Sequence, residues 1–202
     1  MKALFMSGIL KKVEDFIEDL FEKKLSPDLK YHDLSHTKNV VEAAKDIGKN
    51  SGLTEDELEM LLLAAWFHDS GFTEIYTGHE EISIKICSNF LRLHNYPEEK
   101  IEKVNSIIKT TIVSSIPDNL IEMVIKDADI SYMGKKIFFT KSLGLRHEWD
   151  KYLGKQYSED EWLQNNIDFL SANKFYTPYA NKIFKEQKQI NLNKLKKQLE
   201  PK

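Results

Sequence analysis

The run Met60-Leu61-Leu62-Leu63-Ala64-Ala65-Trp66-Phe67, leading straight into His68-Asp69-Ser70-Gly71, constrains this chain more than any other stretch. A helix that is apolar on most of its faces packs inside a core. An imidazole and a carboxylate at its end therefore emerge from the interior rather than from a solvated surface. Buried ionisable groups are costly unless they are paired or bind a metal. The dipeptide is thus either a satisfied core histidine beside a helix-end aspartate, or part of a site. The placement of the other histidines and aspartates decides between the two.

Apolar residues recur at helical spacing almost throughout, and Gly and Pro are sparse, at 8 and 5 of 202 residues. The expected fold class is all-α, and the length suits a single domain over 1–202. Ile9, Leu10, Val13, Phe16, Ile17, Leu20 and Phe21 form a first stripe that ends before Ser26-Pro27. Tyr31-His32-Asp33-Leu34-Ser35-His36 enters a second helix, with Val40, Val41, Ala44 and Ile47 on one face and a stop at Gly48 or Gly52. Thr54-Glu55-Asp56-Glu57 is a capping box, and it opens the helix that ends at His68-Asp69.

Further helices follow. One runs from about His79 to His94, with Ile82, Ile86, Phe90 and Leu93 inward. One is entered through Pro97 and carries Ile101, Val104, Ile108 and Ile112. Another, entered through Pro117, reaches Asp127-Ala128-Asp129. Beyond Gly134 the pattern stays helical but becomes aromatic-rich, with Trp149, Tyr152, Trp162, Phe169, Phe175 and Tyr179. The tail from Asn181 to Lys202 is a Lys-rich amphipathic helix with Ile183, Ile190, Leu192, Leu195 and Leu199 on its apolar side. Its lysines read as a solvated face.

Composition excludes several partners. A net charge of −3 gives no reason to expect nucleic acid. The one cysteine, Cys87, cannot form an internal disulfide, lies on an apolar stripe, and fits packing in a reducing compartment. The apolar run in Met1–Gly8 is too short for a secretory signal, and no segment approaches the roughly 20 apolar residues that span a bilayer. The expectation is a cytoplasmic chain with no membrane partner; a homodimer is compatible with the sequence.

His36 starts the second helix and His68-Asp69 finishes the third. A short connection around Ser51–Thr54 makes the two helices antiparallel neighbours, so these three residues converge at one end of a helical hairpin. Asp129 ends another apolar helix and can reach the same end. Two imidazoles and two carboxylates together suit a divalent ion such as Zn, Fe, Mn or Co. Metal binding is therefore favoured over the purely structural reading.

The order His36…His68-Asp69…Asp129 resembles the signature of the HD-domain superfamily of metal-dependent phosphohydrolases. The likeness spans roughly Tyr31 to Gly134 and rests on Tyr-His-x-x-x-His-Thr, Ala-Ala-x-Phe-His-Asp-x-Gly and Asp-Ala-Asp in order. It implies a helical HD core over about 31–134 with a helical extension over 135–202. It makes His36, His68, Asp69 and Asp129 the metal ligands, with Asp127 the competitor for the last place and otherwise an outer-layer or surface residue. The implied cofactor is one or two divalent ions, Mn, Fe, Co, Ni, Zn or Mg. His32, four positions before His36, matches a histidine that protonates the leaving oxygen in similar cyclic-nucleotide phosphodiesterases. Asp69 would orient the attacking water.

Other polar residues keep two readings. His79 is either a second-metal or substrate contact, or a helix-start residue beside Glu80 and Glu81. Lys109, Thr110 and Thr111 either face a phosphate or lie on a helix surface. Arg146 either binds phosphate or, as the safer expectation, pairs with Glu148. His94 and His147 read as surface residues at helix ends. The expected activity is hydrolysis of a small phosphoester, a nucleotide first. The alternatives are a di-iron oxygenase on the same fold, which would need further iron ligands, and a non-catalytic metal- or nucleotide-binding module.

Overall fold

Caps and apolar stripes divide residues 8–200, those described by the computed structural model, into nine α-helices and two short 3-10 helices, with no strand among the described residues. The helices are α1 (Gly8–Lys24), α2 (Leu34–Ser51), α3 (Glu55–Phe67), α4 (His79–Leu93), α5 (Glu98–Thr110), α6 (Leu120–Asp129), α7 (Phe138–Leu153), α8 (Glu159–Ala172) and α9 (Pro178–Leu199). The all-α expectation holds. The N-terminal stretch weighed above as a secretory signal falls, up to Ser7, outside the described residues, as do Pro201 and Lys202. No helix among the described residues is long and apolar enough to cross a membrane.

Helix α3 is the axis of the fold. The Thr54 hydroxyl accepts from the Glu57 amide at 3.3 Å, and the Glu57 carboxylate accepts from the Thr54 amide at 2.8 Å, closing the capping box. Every residue from Met60 to Phe67 is buried. Full burial of side chains such as Leu61, Leu63 and Phe67 stabilises the fold by about 1.5–3 kcal/mol each. Helix α1 lays Leu10, Val13, Ile17 and Phe21 into the core, and the Phe16 ring lies 4.6 Å from that of Phe90. Helix α2 starts where Asp33 accepts from the His36 amide at 2.7 Å and stops at Gly52, whose φ of 90° needs glycine. The short turn then returns α3 along α2.

Several local expectations shift. Helix α5 ends at Thr110, so Ile112 lies beyond it, and α6 starts after an Asn119 cap, so Pro117 precedes the helix. On α4 the buried face is Ser83, Cys87, Ser88, Phe90 and Leu91 rather than a stripe ending at Leu93, which is exposed. Two serines pack inward because each hydroxyl has a partner: Ser83 donates to the His68 carbonyl and accepts from the Gly71 amide, and Ser88 pairs with Asn105. Helix α9 starts three residues early, at Pro178, because the Thr177 hydroxyl caps it. Its buried face is Ala180, Phe184, Asn191 and Leu195, leaving Ile183 and Ile190 exposed. Asn191 is drawn in by the Met133 and Lys135 carbonyls at 2.9 and 3.0 Å.

The extension is fastened to the core at close range. A Cβ on Gly134 would meet the Phe184 Cβ at 2.4 Å and its carbonyl oxygen at 2.7 Å, so only glycine lets α9 approach there. Asp127 is neither at the site nor on the surface. It is fully buried and accepts from the Tyr176 amide, the Thr177 amide and the Thr177 hydroxyl at 2.7, 2.8 and 2.7 Å. Burial outweighs those three bonds and raises its pKa above the ordinary carboxylate value. Asp127→Ala strands buried donors at about 1–3 kcal/mol each. It is expected to cost about 2–4 kcal/mol in urea unfolding while metal content stays at the wild-type level.

Candidate metal centre

Three helix ends meet at one point. Asp33 caps α2 and places His36 in its first turn; α3 runs out at Phe67 and delivers His68 and Asp69; α6 ends at Asp129. The His36 Nε2 lies 3.3 Å from Asp69 Oδ2 and 3.2 Å from Asp129 Oδ1. The His68 Nε2 lies 3.2 Å from Asp69 Oδ2 and 3.8 Å from Asp129 Oδ1. Ligand atoms held about 2.1 Å from one ion stand roughly 3.0–3.4 Å apart in octahedral or tetrahedral shells, which is close to this spacing.

The donor atoms also lack other employment. His36 Nε2, His68 Nε2 and Asp69 Oδ2 are buried without a hydrogen-bond partner. Potential ligand atoms of these three residues all fall within 4.8 Å of one another. Buried polar groups are normally satisfied, so the donor set fits a divalent ion better than it fits a self-contained polar cluster. The His68 Nδ1–H donates to the Ala65 carbonyl at 2.8 Å, which leaves the Nε2 lone pair aimed at the centre.

The local electrostatics follow from this crowding. Burial disfavours the His68 imidazolium, but the Asp69 and Asp129 carboxylates outweigh it and lift the pKa to about 9. The Asp69 carboxyl, although burial pushes its pKa up, is held well below the usual carboxylate range by the charge of the adjacent His68. Asp129 is likewise lowered against its burial, by its contact with His36 and the charge of His68. A cation binding here competes with the His68 proton.

A second ring of side chains surrounds the centre. The Phe72 ring stacks on both His32, at 4.2 Å, and His79, at 3.7 Å. The His79 Nε2 lies 3.6 Å from Asp69 Oδ1, on the side away from His36 and His68. Gly71 permits this arrangement, because a Cβ there would meet the His79 carbonyl oxygen at 1.9 Å. Glu80 Oε2 is 3.7 Å from His79 Nδ1. Lys126 sits near Asp129 and Glu80, donates to the Ile112 carbonyl at 2.7 Å, and has its pKa lowered by burial against those two acids.

The Lys109 group divides. Thr110 and Thr111 spend their hydroxyls on the Ser106 and Ile108 carbonyls, while Lys109 is exposed on α5. His94 is only partly buried and points Nδ1 at the Phe90 carbonyl. His147 is exposed in the body of α7 rather than at its end.

The residue that sequence reasoning missed is Glu148. Arg146 does not pair with it, but with Glu159 and the Tyr157 carbonyl. Glu148 is fully buried on the opposite side of α7. Its Oε2 lies 2.6 Å from His32 Nδ1 and accepts from the Tyr76 hydroxyl at 3.3 Å; its Oε1 accepts from the Tyr31 and His32 amides at 2.5 and 3.0 Å. Seven residues earlier on the same helix face, Lys141 pairs with Asp33 at 3.1 Å. The spacing Lys141…Glu148, two charged residues a heptad apart on one helix, was the available signal that α7 clamps the entry of α2.

Burial opposes ionisation of Glu148, but its bonds to His32 hold its pKa below the ordinary 4.5. A depressed folded-state value means its stabilisation is complete above about 4.5 and is lost as pH falls through the folded value. In urea unfolding, wild type is expected to exceed Glu148→Gln most at pH 7, and the gap is expected to close below pH 4.5.

The chain matches the HD domain family over residues 33–133, half of its length, and belongs to that family. Its likeness to solved structures covers nearly the whole chain. A predicted HD superfamily hydrolase from an uncultured Thermotogales bacterium is 17% identical with a TM-score of 0.65, over 94% of this chain and 91% of that one. The Lin1889 protein of Listeria innocua is 21% identical with a TM-score of 0.68, over 96% and 95%. Bacillus subtilis YpgQ in complex with ADP is 16% identical with a TM-score of 0.65, over 93% and 94%. At these identities the likeness is one of fold. No curated protein matches the sequence significantly.

Proposed function

We propose that this chain is a metal-dependent phosphohydrolase that cleaves a small phosphoester, with a nucleotide as the favoured substrate. One observation carries the reading. In a member of the HD domain family, His36 Nε2, His68 Nε2 and Asp69 Oδ2 converge, buried and without hydrogen-bond partners. Together with Asp129 they would hold the ion. A divalent ion so held lowers the pKa of water towards neutrality and neutralises charge on a phosphoryl oxygen.

The chain's own groups then divide the work. Asp69 turns Oδ2 towards the two histidine ligands and Oδ1 towards His79, so its second oxygen is available to orient a water. His32 is part-buried at the rim, with Nδ1 engaged by Glu148, so its Nε2 is the nitrogen that can pass a proton to a leaving oxygen. Support for a nucleotide comes from YpgQ, a structural neighbour solved with ADP.

Elemental analysis of wild type and His68→Ala, beside a phosphomonoester and phosphodiester panel with added Mn, Co, Mg and Ni, tests the proposal. Metal in the wild type, none in the variant and turnover of one phosphoester support it. Two irons per chain with no phosphoester turnover would replace it by an oxygenase. Metal without any turnover would leave a binding module, and no metal at all would make the four residues structural.

A further inference from the structure

The lysines of the tail do not all form a solvated face. Lys185 and Lys188 from α9 meet Lys174 from the α8–α9 loop around a cleft of about 440 Å³, floored by Leu170, Phe175 and Leu192. That volume lies within the range of small-molecule sites. Lys11, Lys38, Lys100, Lys141 and Lys151 each sit 2.6–3.2 Å from a carboxylate. Around this cleft no carboxylate lines the wall, and no such ion pair reaches any of the three among the described residues. The Lys188 Nζ has only the Asn173 carbonyl, and both burial and the charge of Lys174 lower its pKa. Three ammonium groups around an apolar floor, with no carboxylate in the wall, concentrate positive charge that a bound anion would offset.

We propose that the α8–α9 cleft binds a small organic polyphosphate at a site separate from the His–Asp centre. The three ammonium groups take the phosphates as charge-assisted donors, and the apolar floor takes the organic part. Occupancy has a direct path to the metal centre. The loop carrying Phe175 continues into Tyr176 and Thr177, which Asp127 grips from α6 two residues before Asp129. On the far side of Asp129, α9 holds the Met133 and Lys135 carbonyls through Asn191. The cleft is therefore placed to act as a regulatory site.

Titration calorimetry of the full chain with inorganic pyrophosphate tests this, using wild type, the cleft variant Lys185→Gln/Lys188→Gln, the control Lys182→Gln/Lys196→Gln, and Asp69→Ala. The control removes the same charge from exposed positions of α9 outside the cleft. The expected result is binding that weakens by roughly tenfold or more in the cleft variant and stays within about twofold in the control. Asp69→Ala is expected to retain it, because the cleft does not need the metal centre. Equal affinity in the cleft variant and the control would overturn the proposal, as would binding lost in Asp69→Ala but kept in the cleft variant. Absence of measurable binding to wild type at millimolar pyrophosphate would overturn it as well.

Discussion

Asp69→Ala is expected to strip the chain of bound metal and to cut turnover by roughly 10³-fold or more, the equivalent of about 4 kcal/mol of lost transition-state stabilisation. The size of the effect follows from position. Asp69 Oδ2 stands 3.3 and 3.2 Å from the His36 and His68 Nε2 atoms, where Asp129 Oδ1 stands 3.2 and 3.8 Å from them, and the other Asp69 oxygen faces His79. One substitution therefore removes a ligand and the group that would orient water. Asp69→Asn keeps the volume but not the charge, and its metal loss should match that of alanine. If asparagine keeps metal and activity, the carboxylate is a structural acceptor only. A second readout needs no metal. In the metal-free chain, burial of His68 is opposed mainly by Asp69 and less by Asp129. Its pKa, about 9 in the intact cluster, should fall in either variant when followed by NMR titration. An unchanged His68 titration would mean that the Asp69 charge does not govern the cluster.

The helical hairpin was legible because its signals are local. The capping box at Thr54, the unbroken apolar run and the short α2–α3 turn place His36 beside His68-Asp69 by geometry alone, and the structure brings those residues to the distances given above. What stayed illegible depends on contacts remote in sequence. Glu148 and His32 are separated by 116 positions, and the heptad spacing from Lys141 to Glu148 marks a shared helix face without showing which imidazole that face meets. Asp127 and Asp129 look interchangeable in Asp-Ala-Asp. Successive odd positions on a helix point some 200° apart, so one carboxylate reaches His36 while the other must find donors in the extension. Serine and asparagine positions misled for a related reason. Ser83 and Asn191 break the apolar stripes of α4 and α9, yet each is buried because it satisfies a distant backbone group. Burial of a polar side chain is decided by its partner, and a single sequence does not display partners that far away.

The Glu148–His32 pair gives the second large expectation. His32→Ala should lower kcat by roughly 10²- to 10⁴-fold, the usual share of a positioned general acid, with metal content unchanged because His32 donates nothing to the His36–His68–Asp69 group. Glu148→Gln separates proton transfer from positioning. The amide oxygen can still accept from the Tyr31 and His32 amides, as Oε1 does. The amide nitrogen then faces His32 Nδ1 across the 2.6 Å contact now made by Oε2. A donor in that place suits a bare Nδ1 and opposes the imidazolium, so the acid form survives only at lower pH. The alkaline limb of the kcat–pH profile should therefore move to lower pH, while KM changes little and metal content stays constant. A purely structural role for Glu148 would instead lower activity evenly across pH, in step with lost stability. An unmoved limb in a folded, metal-loaded Glu148→Gln chain would remove His32 from the acid role, because the proton donor would then be a group that α7 does not touch.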